Sequence, residues 1–114
     1  MKIAIPLFKD RISPHFGSSL RIFLVDIENA AVHQETTLEM CGKSPIEIAG
    51  LLLDLGVEKI ICGGIQSFYK EWLISKGVAV VDNQRGLARE VIREILEKEG
   101  LFKNGTLKSK GDPS

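Results

Sequence analysis

The stretch KIAIPLF, residues 2–8, has Lys2 as its single charged residue and places apolar side chains on both faces of an extended chain. Residues 20–27, with the sequence LRIFLVDI, repeat this pattern and carry only Arg21 and Asp26 as charges. Strands that are apolar on both faces are typical of sheets covered by helices on both sides. We therefore expect both stretches to form central strands.

A more polar segment, residues 31–39, follows the second strand after a tight turn at Asn29 and Ala30. Its alternation of polar and apolar residues predicts a hairpin partner at the edge of the sheet. His33 lies in the middle of this segment, and we expect it to face solvent.

Three helices are predicted in the second half of the chain. The first begins at SPIE, residues 44–47, a capping box with proline at the first helical position, and it ends at Gly56. The second carries an aromatic stripe and ends at Gly77. The third has apolar residues at helical spacing over residues 87–96 and is expected to end at Gly100.

Short β-branched runs at residues 57–62 and 78–81 lie between these helices. The resulting succession β-β-β-α-β-α-β-α predicts an α/β fold with a mixed five-stranded sheet, helices on both faces and the strand order 3-2-1-4-5. Residues 1–100 form one domain in this interpretation. Residues 101–114 lack apolar periodicity and predict a loosely ordered C-terminal tail.

The composition narrows the classes of partner. Lys plus Arg and Asp plus Glu number 15 each, so no overall field attracts nucleic acid or an anionic membrane. Two cysteines, Cys41 and Cys62, in a chain with no apolar leader and no long apolar span favour a reduced, cytoplasmic compartment. The balanced charge and the polar edge strand are compatible with a monomer or with a weak dimer paired through that edge.

Ligands of such sheets bind beyond the carboxyl ends of parallel strands where the strand order reverses. Here that point lies between the first strand and residues 57–62, and we call this edge of the sheet the rim. Two features fall there: the loop SPHFG, residues 13–17, and the turn CGGI, residues 62–65. The backbone N–H groups of Gly63, Gly64 and Ile65 before the next helix are candidates for supporting an anion.

Within the loop of residues 13–17, Ser13, His15 and Gly17 are the candidate binding residues. Pro14 and Gly17 predict a rigid turn that presents the imidazole of His15 at the rim. Imidazole is a common metal ligand, and this makes His15 a candidate ligand. The alternative is that His15 only forms hydrogen bonds within its own turn. Cys62 has two similar interpretations, an activated thiolate before a helix N-terminus or an inert cysteine in a buried strand.

The sequence argues against catalysis. Two-metal nuclease chemistry needs carboxylates converging on the central strands, and residues 2–8 contain none. Asp10, Asp26 and Asp82 are interpreted as solvated carboxylates of turns and strand ends. No nucleophile elbow, phosphate-binding loop or Cys-x-x-Cys pair is present. We therefore expect a protein that is not an enzyme and has no catalytic residues.

The opening IAIP, the loop SPHFG, residues 13–17, the hairpin around Val25 and Asp26, the turn GGI, residues 63–65, and the closing ARE, residues 88–90, resemble the dinitrogenase iron-molybdenum cofactor biosynthesis family. The resemblance spans the chain to about residue 100. It implies a ribonuclease H-like fold and binding or carriage of the iron-molybdenum cofactor of nitrogenase, or its iron–sulfur precursor, without catalysis.

The resemblance leaves three classes of function. The first is a nitrogen fixation-related carrier of an iron–sulfur or iron-molybdenum cluster, with His15, Cys62 and Cys41 as metal ligands and cofactor-assembly proteins as partners. The second is a sensor of a small anionic metabolite at the same rim. The third is a scaffold that uses an aromatic helix face, although such a stripe is usually core. The family continues after residues 63–65 with glycine, proline and a small residue, whereas QSF, residues 66–68, predicts less room for a large cluster.

Overall fold

The computed structural model describes the backbone of residues 1–104 and the side-chain environment of residues 1–98. This part of the chain forms six strands and three α-helices. In chain order they are β1 Lys2–Phe8, β2 Arg11–Ile12, β3 Arg21–Glu28, β4 Ala31–Glu39, α1 Pro45–Asp54, β5 Lys59–Ile61, α2 Ser67–Ser75, β6 Ala79–Val81 and α3 Ala88–Asn104. A short 3-10 turn, Phe16–Ser18, precedes β3.

The fold is a mixed α/β sheet in the order β4-β3-β1-β5-β6, with β2 paired to β1 off this path. β1 is antiparallel to β3, where Ile3 lies opposite Val25, and parallel to β5, where Ile3 lies opposite Lys59. β1 therefore has a neighbour along both sides. The polar strand β4 pairs only with β3 and forms one edge.

The prediction of five strands was wrong, because it missed β2. This strand has two residues, too short to show a hydrophobic period, and it pairs Ile12 with Leu7 and Arg11 with Phe8. The turn that produces it also lacks the usual glycine signal: Lys9 adopts a φ of 59°. The observed order, β4-β3-β1-β5-β6, therefore differs from the predicted 3-2-1-4-5, because β2 raises the number of every later strand by one.

The core has two layers, one on each face of the sheet. Side chains alternate along β1, so Ala4 packs in one layer and Ile3 and Ile5 in the other. The first layer includes buried residues of α1 and α2, and the second includes Ala88 and Ile92 of α3. The helices thus cover both faces, which explains why β1 is apolar on both sides.

The capping box of α1 is present as predicted, with the Ser44 hydroxyl accepting from the Glu47 N–H and the Glu47 carboxylate accepting from the Ser44 N–H. Gly56 and Gly77 follow α1 and α2 with φ of 80° and 90°. The expected end at Gly100 was wrong, because α3 continues to Asn104. One glycine inside a helix costs about 1 kcal/mol relative to alanine, which a long helix tolerates.

The predicted tail, residues 101–114, overlaps the end of α3 up to Asn104, and its remainder lies outside the described residues. Within the part of the chain that the structure describes, no helix has the length and apolar character to cross a lipid bilayer.

Candidate functional site

The loop of residues 13–17, which we call the rim loop, follows β2 and returns to the centre of the sheet. The Ser13 N–H donates to the Pro6 carbonyl at 2.8 Å. The loop then runs beside Gly64, whose N–H donates to the Pro14 carbonyl at 2.7 Å and whose carbonyl accepts from the Phe16 N–H at 2.8 Å. His15 and Gly64 thereby form an isolated parallel bridge. The structure brings the two predicted rim features into contact.

Two buried serines and one aromatic side chain fix the rim loop. The Ser13 hydroxyl donates to the His15 carbonyl at 3.0 Å, and the Ser19 hydroxyl donates to the Phe16 carbonyl at 2.9 Å. Phe16 is only 1% exposed and packs in the core layer beneath α1 and α2. Ser13 and Ser19 thus both hold the backbone of the rim loop in place. The binding role of Ser13 stays a prediction, and no sequence pattern indicated Ser19.

Close packing explains the glycines of this region. A Cβ on Gly63 would lie 2.4 Å from the Ser13 carbonyl oxygen, and one on Gly64 would lie 3.0 Å from that of Pro14. A Cβ on Gly17 would lie 2.7 Å from Cγ of Pro45. Gly17 was expected to allow an unusual turn, but it has no positive φ, and the structure needs its small size. The Gly64 N–H is also occupied by Pro14 and is not available to an anion.

A cavity of about 430 Å³ opens between the rim loop and the first turns of α1 and α2. His15 is exposed at its wall, with Nδ1 3.8 Å from the position that a Cβ on Gly64 would occupy. The rest of the lining is mostly apolar or backbone: Phe16, Gly17, Ser18, Pro45, Gly64, Ile65, Gln66 and Tyr69. We call this the first cavity. Its volume is in the range of small-ligand sites.

The N-terminus of α2 borders the first cavity. Gln66 occupies the N-cap position, and its side chain makes no capping hydrogen bond. The Gln66 carbonyl accepts from the N–H groups of Tyr69 and Lys70 at 3.1 Å each. The earlier N–H groups of a helix have no partner within the helix, and this end carries a partial positive charge. The wall of the cavity is therefore suited to an anion.

Cys62 follows β5 and is fully buried, with 0% exposure. Its backbone N–H donates to the Val81 carbonyl at 3.0 Å, and its carbonyl accepts from the Gln84 N–H at 2.9 Å. Burial, assisted by the charge of Asp82, raises the pKa of the Cys62 thiol to about 12. Lys70, whose ammonium group lies 3.2 Å from the Asp82 carboxylate, opposes this rise in the Cys62 pKa only in part. The thiol is therefore neutral near pH 7, which favours the inert alternative.

Cys41 is exposed between β4 and α1. Among the described residues, no three His, Cys, Asp or Glu side chains are arranged to hold a metal ion. The structure thus does not gather His15, Cys62 and Cys41 into one set of ligands. It leaves His15 as the predicted ligand that lines the first cavity.

The aromatic stripe of α2 divides between three environments. Phe68 is 65% exposed, so the core alternative for the aromatic stripe does not hold at this residue. Tyr69 lines the first cavity, and Trp72 packs partly buried against the core layer. The ring of Phe68 meets that of Tyr69 edge to face, with centroids 5.1 Å apart. Helical spacing identified the stripe, but it could not show that Tyr69 faces the first cavity instead of packing in the core.

The carboxylates that nuclease chemistry would need are dispersed. Asp10 lies in the turn between β1 and β2. Asp26 lies inside β3, not at a strand end, and its carboxylate is 3.4 Å from the N-terminal ammonium group. Asp82 follows β6 and pairs with Lys70.

Residues 1–98 match the family model described as dinitrogenase iron-molybdenum cofactor, and the chain belongs to this family. It is also 33% identical over 70 residues to an uncharacterised protein of Methanocaldococcus jannaschii, a match that covers 57% of this chain and 59% of the other. The chain therefore aligns with about three fifths of the length of that relative.

Solved structures share the fold. The crystal structure of PH0822 superposes with a TM-score of 0.80 at 28% identity over 86% of this chain and 90% of the other. A candidate dinitrogenase of Methanocaldococcus jannaschii gives a TM-score of 0.70 at 21% identity, over 87% and 90% of the two chains. A candidate NifB protein from Thermotoga gives 0.65 at 24% identity, over 86% and 89%.

Proposed function

We propose that this member of the dinitrogenase iron-molybdenum cofactor family is a non-catalytic carrier of an iron–sulfur or iron-molybdenum cluster, or of its precursor. The cluster is cargo in this proposal and is delivered to cofactor-assembly proteins in the cytoplasm. The observation that supports it is the first cavity, where His15 meets the uncapped N-terminus of α2. A ribonuclease H-like classification of the sheet stays a prediction.

The residues of the first cavity fit a preassembled anionic cluster. His15 offers one imidazole ligand, and the positive end of α2 offers electrostatic support to sulfide-rich cargo. Cys62 is not assigned a ligand role in this proposal, because it is buried and the pKa of its thiol is raised to about 12. Iron–sulfur clusters are ordinarily held by several cysteine thiolates. With one imidazole and no thiolate in the lining, the first cavity is proposed to hold a cluster that arrives with its own ligands, not to assemble one from ions. The absence of a thiolate from the lining favours a carrier over an assembly scaffold.

A sensor of a small anionic metabolite is the second candidate. The volume of the first cavity, about 430 Å³, and its mixed apolar and backbone lining also suit a small organic molecule. The two candidates differ in their dependence on His15. Imidazole coordination is essential to a bound cluster, whereas an organic anion depends mainly on the helix end and on contact with Tyr69.

An anaerobic titration with a synthetic iron–sulfur cluster that carries exchangeable thiolate ligands tests the proposal. We expect wild-type protein to shift the visible absorption of the cluster and to retain it through gel filtration. His15→Ala should weaken retention by about 10-fold, because an imidazole ligand is lost. His33→Ala is the matched control, since His33 is exposed on β4 and does not line the first cavity.

Equal retention by wild type and His15→Ala, or no retention by either protein, would contradict cluster carriage through His15. Cys62→Ala provides a further test, because an inert core cysteine predicts normal retention of the cluster. Loss of retention in Cys62→Ala with an unchanged melting temperature would restore the thiolate as a ligand and contradict the carrier argument.

A further inference from the structure

A second cavity, of about 390 Å³, lies on the side of the sheet that α3 covers. It is formed by the turn between β1 and β2, by β3 and β4, and by the first turn of α3. Its lining residues are Leu7, Lys9, Asp10, Arg21, Phe23, Thr37, Ala88 and Arg89. None of them lines the first cavity. Its chemistry is therefore independent of the proposed cluster site.

We propose that the second cavity binds a small organic anion, with a phosphate or carboxylate group against Lys9 and Arg21 and an apolar part against Leu7 and Phe23. This binding site goes beyond the proposed carriage of a cluster.

Two of the three cations have no carboxylate partner among residues 1–98. Arg89 is paired, because its Nη2 lies 2.9 Å from Oε1 of Glu35. For Lys9 and Arg21, no carboxylate of a described residue lies within 4.0 Å, and the Arg21 guanidinium donates only to the Lys9 carbonyl at 3.4 Å. Two unpaired cations on one cavity form a site for an anion, and a guanidinium fits phosphate and carboxylate well.

Among the described residues, the carboxylates near this cavity form no ion pair with Lys9 or Arg21, and the Lys9 ammonium group lies 5.7 Å from the centroid of the exposed Phe8 ring. Asp10 lines the cavity, but its carboxylate lies beyond ion-pair distance of both cations, while its backbone carbonyl accepts from the Ala88 N–H at 3.1 Å. Glu39 lies opposite Arg21 in the β3–β4 register without forming an ion pair. Ala88 is the first residue of the 17-residue helix α3, and this helix end adds positive potential.

The floor of the second cavity is apolar. Leu7, Phe23 and Ala88 are buried members of the core layer beneath α3. The guanidinium of Arg89 lies over the Phe23 ring, 5.2 Å from its centroid, and so borders this apolar floor. A ligand with an anionic end and an aromatic or aliphatic body therefore matches the cavity better than an inorganic ion does.

The turn that presents Lys9 offers a way to test the site without harming the fold. Lys9 has a φ of 59°, a conformation that glycine adopts at lower cost. Lys9→Gly removes the ammonium group and relaxes the turn, so the variant should fold at least as well as wild type. Loss of binding in this variant then cannot result from unfolding.

Phenyl phosphate is the probe, and two-dimensional ¹H–¹⁵N NMR of the full chain is the measurement. We expect saturable shifts at amides of residues 7–10, 21–23 and 88–90. Lys9→Gly and Arg21→Gln should each weaken binding by about 10-fold. Two controls match them: Ala30→Gly relaxes a turn elsewhere without changing charge, and Lys76→Gln removes a cation at the far end of α2.

The proposal is overturned if phenyl phosphate causes no saturable shift at these amides, or if Arg21→Gln and Lys76→Gln bind it equally. It is also overturned if inorganic phosphate binds as tightly as phenyl phosphate, because the apolar floor then contributes nothing. The readout does not involve His15, so failure here leaves cluster carriage untouched.

Discussion

His15 and Cys62 occupy neighbouring segments at the same edge of the sheet, yet their side chains differ in exposure to solvent. His15 is exposed on the first cavity, whereas Cys62 is fully buried two residues before Gly64. The rim loop bridges to Gly64 and approaches Gly63 closely, so the two residues lie in adjacent segments, yet only His15 reaches solvent. A position after a strand thus brings a residue to the edge of the sheet, and the packing around it determines whether its side chain is exposed.

The largest expected difference between exposed and buried side chains is in thiol reactivity. In single-cysteine variants, iodoacetamide should alkylate Cys41 in Cys62→Ser at least 1,000-fold faster than it alkylates Cys62 in Cys41→Ser at pH 8. The reason is that burial raises the pKa of Cys62 to about 12, and only the thiolate is nucleophilic. Mass spectrometry of timed samples measures both rates.

Labelling in denaturant is the control, and there the two rates should converge. The raised pKa of Cys62 also predicts how the stability of the fold changes at alkaline pH. The folded state holds the Cys62 proton more tightly than the unfolded state does. The stabilisation from the protonated thiol is therefore complete below about pH 8.5 and is lost as pH rises toward 12. Rapid alkylation of native Cys62 at pH 8 would restore it as an accessible thiolate.

The next largest effect concerns the contact between rim loop and β5. Gly63→Ala should lower the free energy of unfolding by about 3 kcal/mol, because its Cβ would meet the Ser13 backbone oxygen at 2.4 Å and backbone cannot yield easily. Gly17→Ala is the matched variant. Its Cβ would meet the ring of Pro45, a side chain that can shift, so about 1 kcal/mol is expected. Urea denaturation measures both.

Equal costs for the two glycine variants would mean that the rim loop gives way as readily as the Pro45 ring. In that case the rim loop would be adaptable, and the difference in exposure between His15 and Cys62 would not be a fixed property of the fold. A cost for Gly63→Ala that clearly exceeds that of Gly17→Ala would sharpen the comparison instead.

Local sequence signals predicted the helices well. The capping box of α1 and the glycines after α1 and α2 each have one local physical cause, and each lies where predicted. The strand β2 was missed because two residues show no period and Lys9 adopts positive φ without being glycine. Gly100 was misinterpreted as a helix end, because α3 continues through it to Asn104 and a single glycine costs a helix only about 1 kcal/mol.

The candidate site was less predictable than the fold, because it depends on contacts distant in sequence. The proximity of His15 to Gly64 follows from strand positions, and sequence could anticipate it. The burial of Cys62 depends on the packing of a core layer whose members come from distant parts of the chain, which no local pattern shows. Ser19 was missed for the same reason, since its two acceptors are loop carbonyls that only the folded chain brings together.

A smaller effect compares the two helix ends that border the first cavity, since α1 is capped and α2 is not. Ser44→Ala should lower the free energy of unfolding by about 1 kcal/mol, because the Glu47 N–H loses its acceptor. Hydrogen bonds to the Ser44 backbone, and then to its hydroxyl, lower the pKa of Glu47. This stabilisation is present above pH 5 and is lost as pH falls through that lowered pKa.

The matched substitution at the other helix end is Gln66→Ala, which should leave stability almost unchanged because the Gln66 side chain makes no capping hydrogen bond. Urea denaturation at pH 7 and at pH 3 measures the four values. A cost for Gln66→Ala as large as that for Ser44→Ala would show that α2 is capped in solution, and its N-terminus would then be closed to an anion.

The smallest expected effect is on stability when the imidazole of His15 is removed. Ser13 and Ser19 bond to the backbone of residue 15, not to its side chain, and the side chain is exposed. His15→Ala and His33→Ala should therefore both change the free energy of unfolding by less than about 0.5 kcal/mol in urea denaturation. A cost above about 1 kcal/mol for His15→Ala alone would support the alternative that His15 stabilises its own turn. A neutral result leaves the rim loop fully formed without the imidazole, so any loss of cluster retention in this variant reports on the ligand itself.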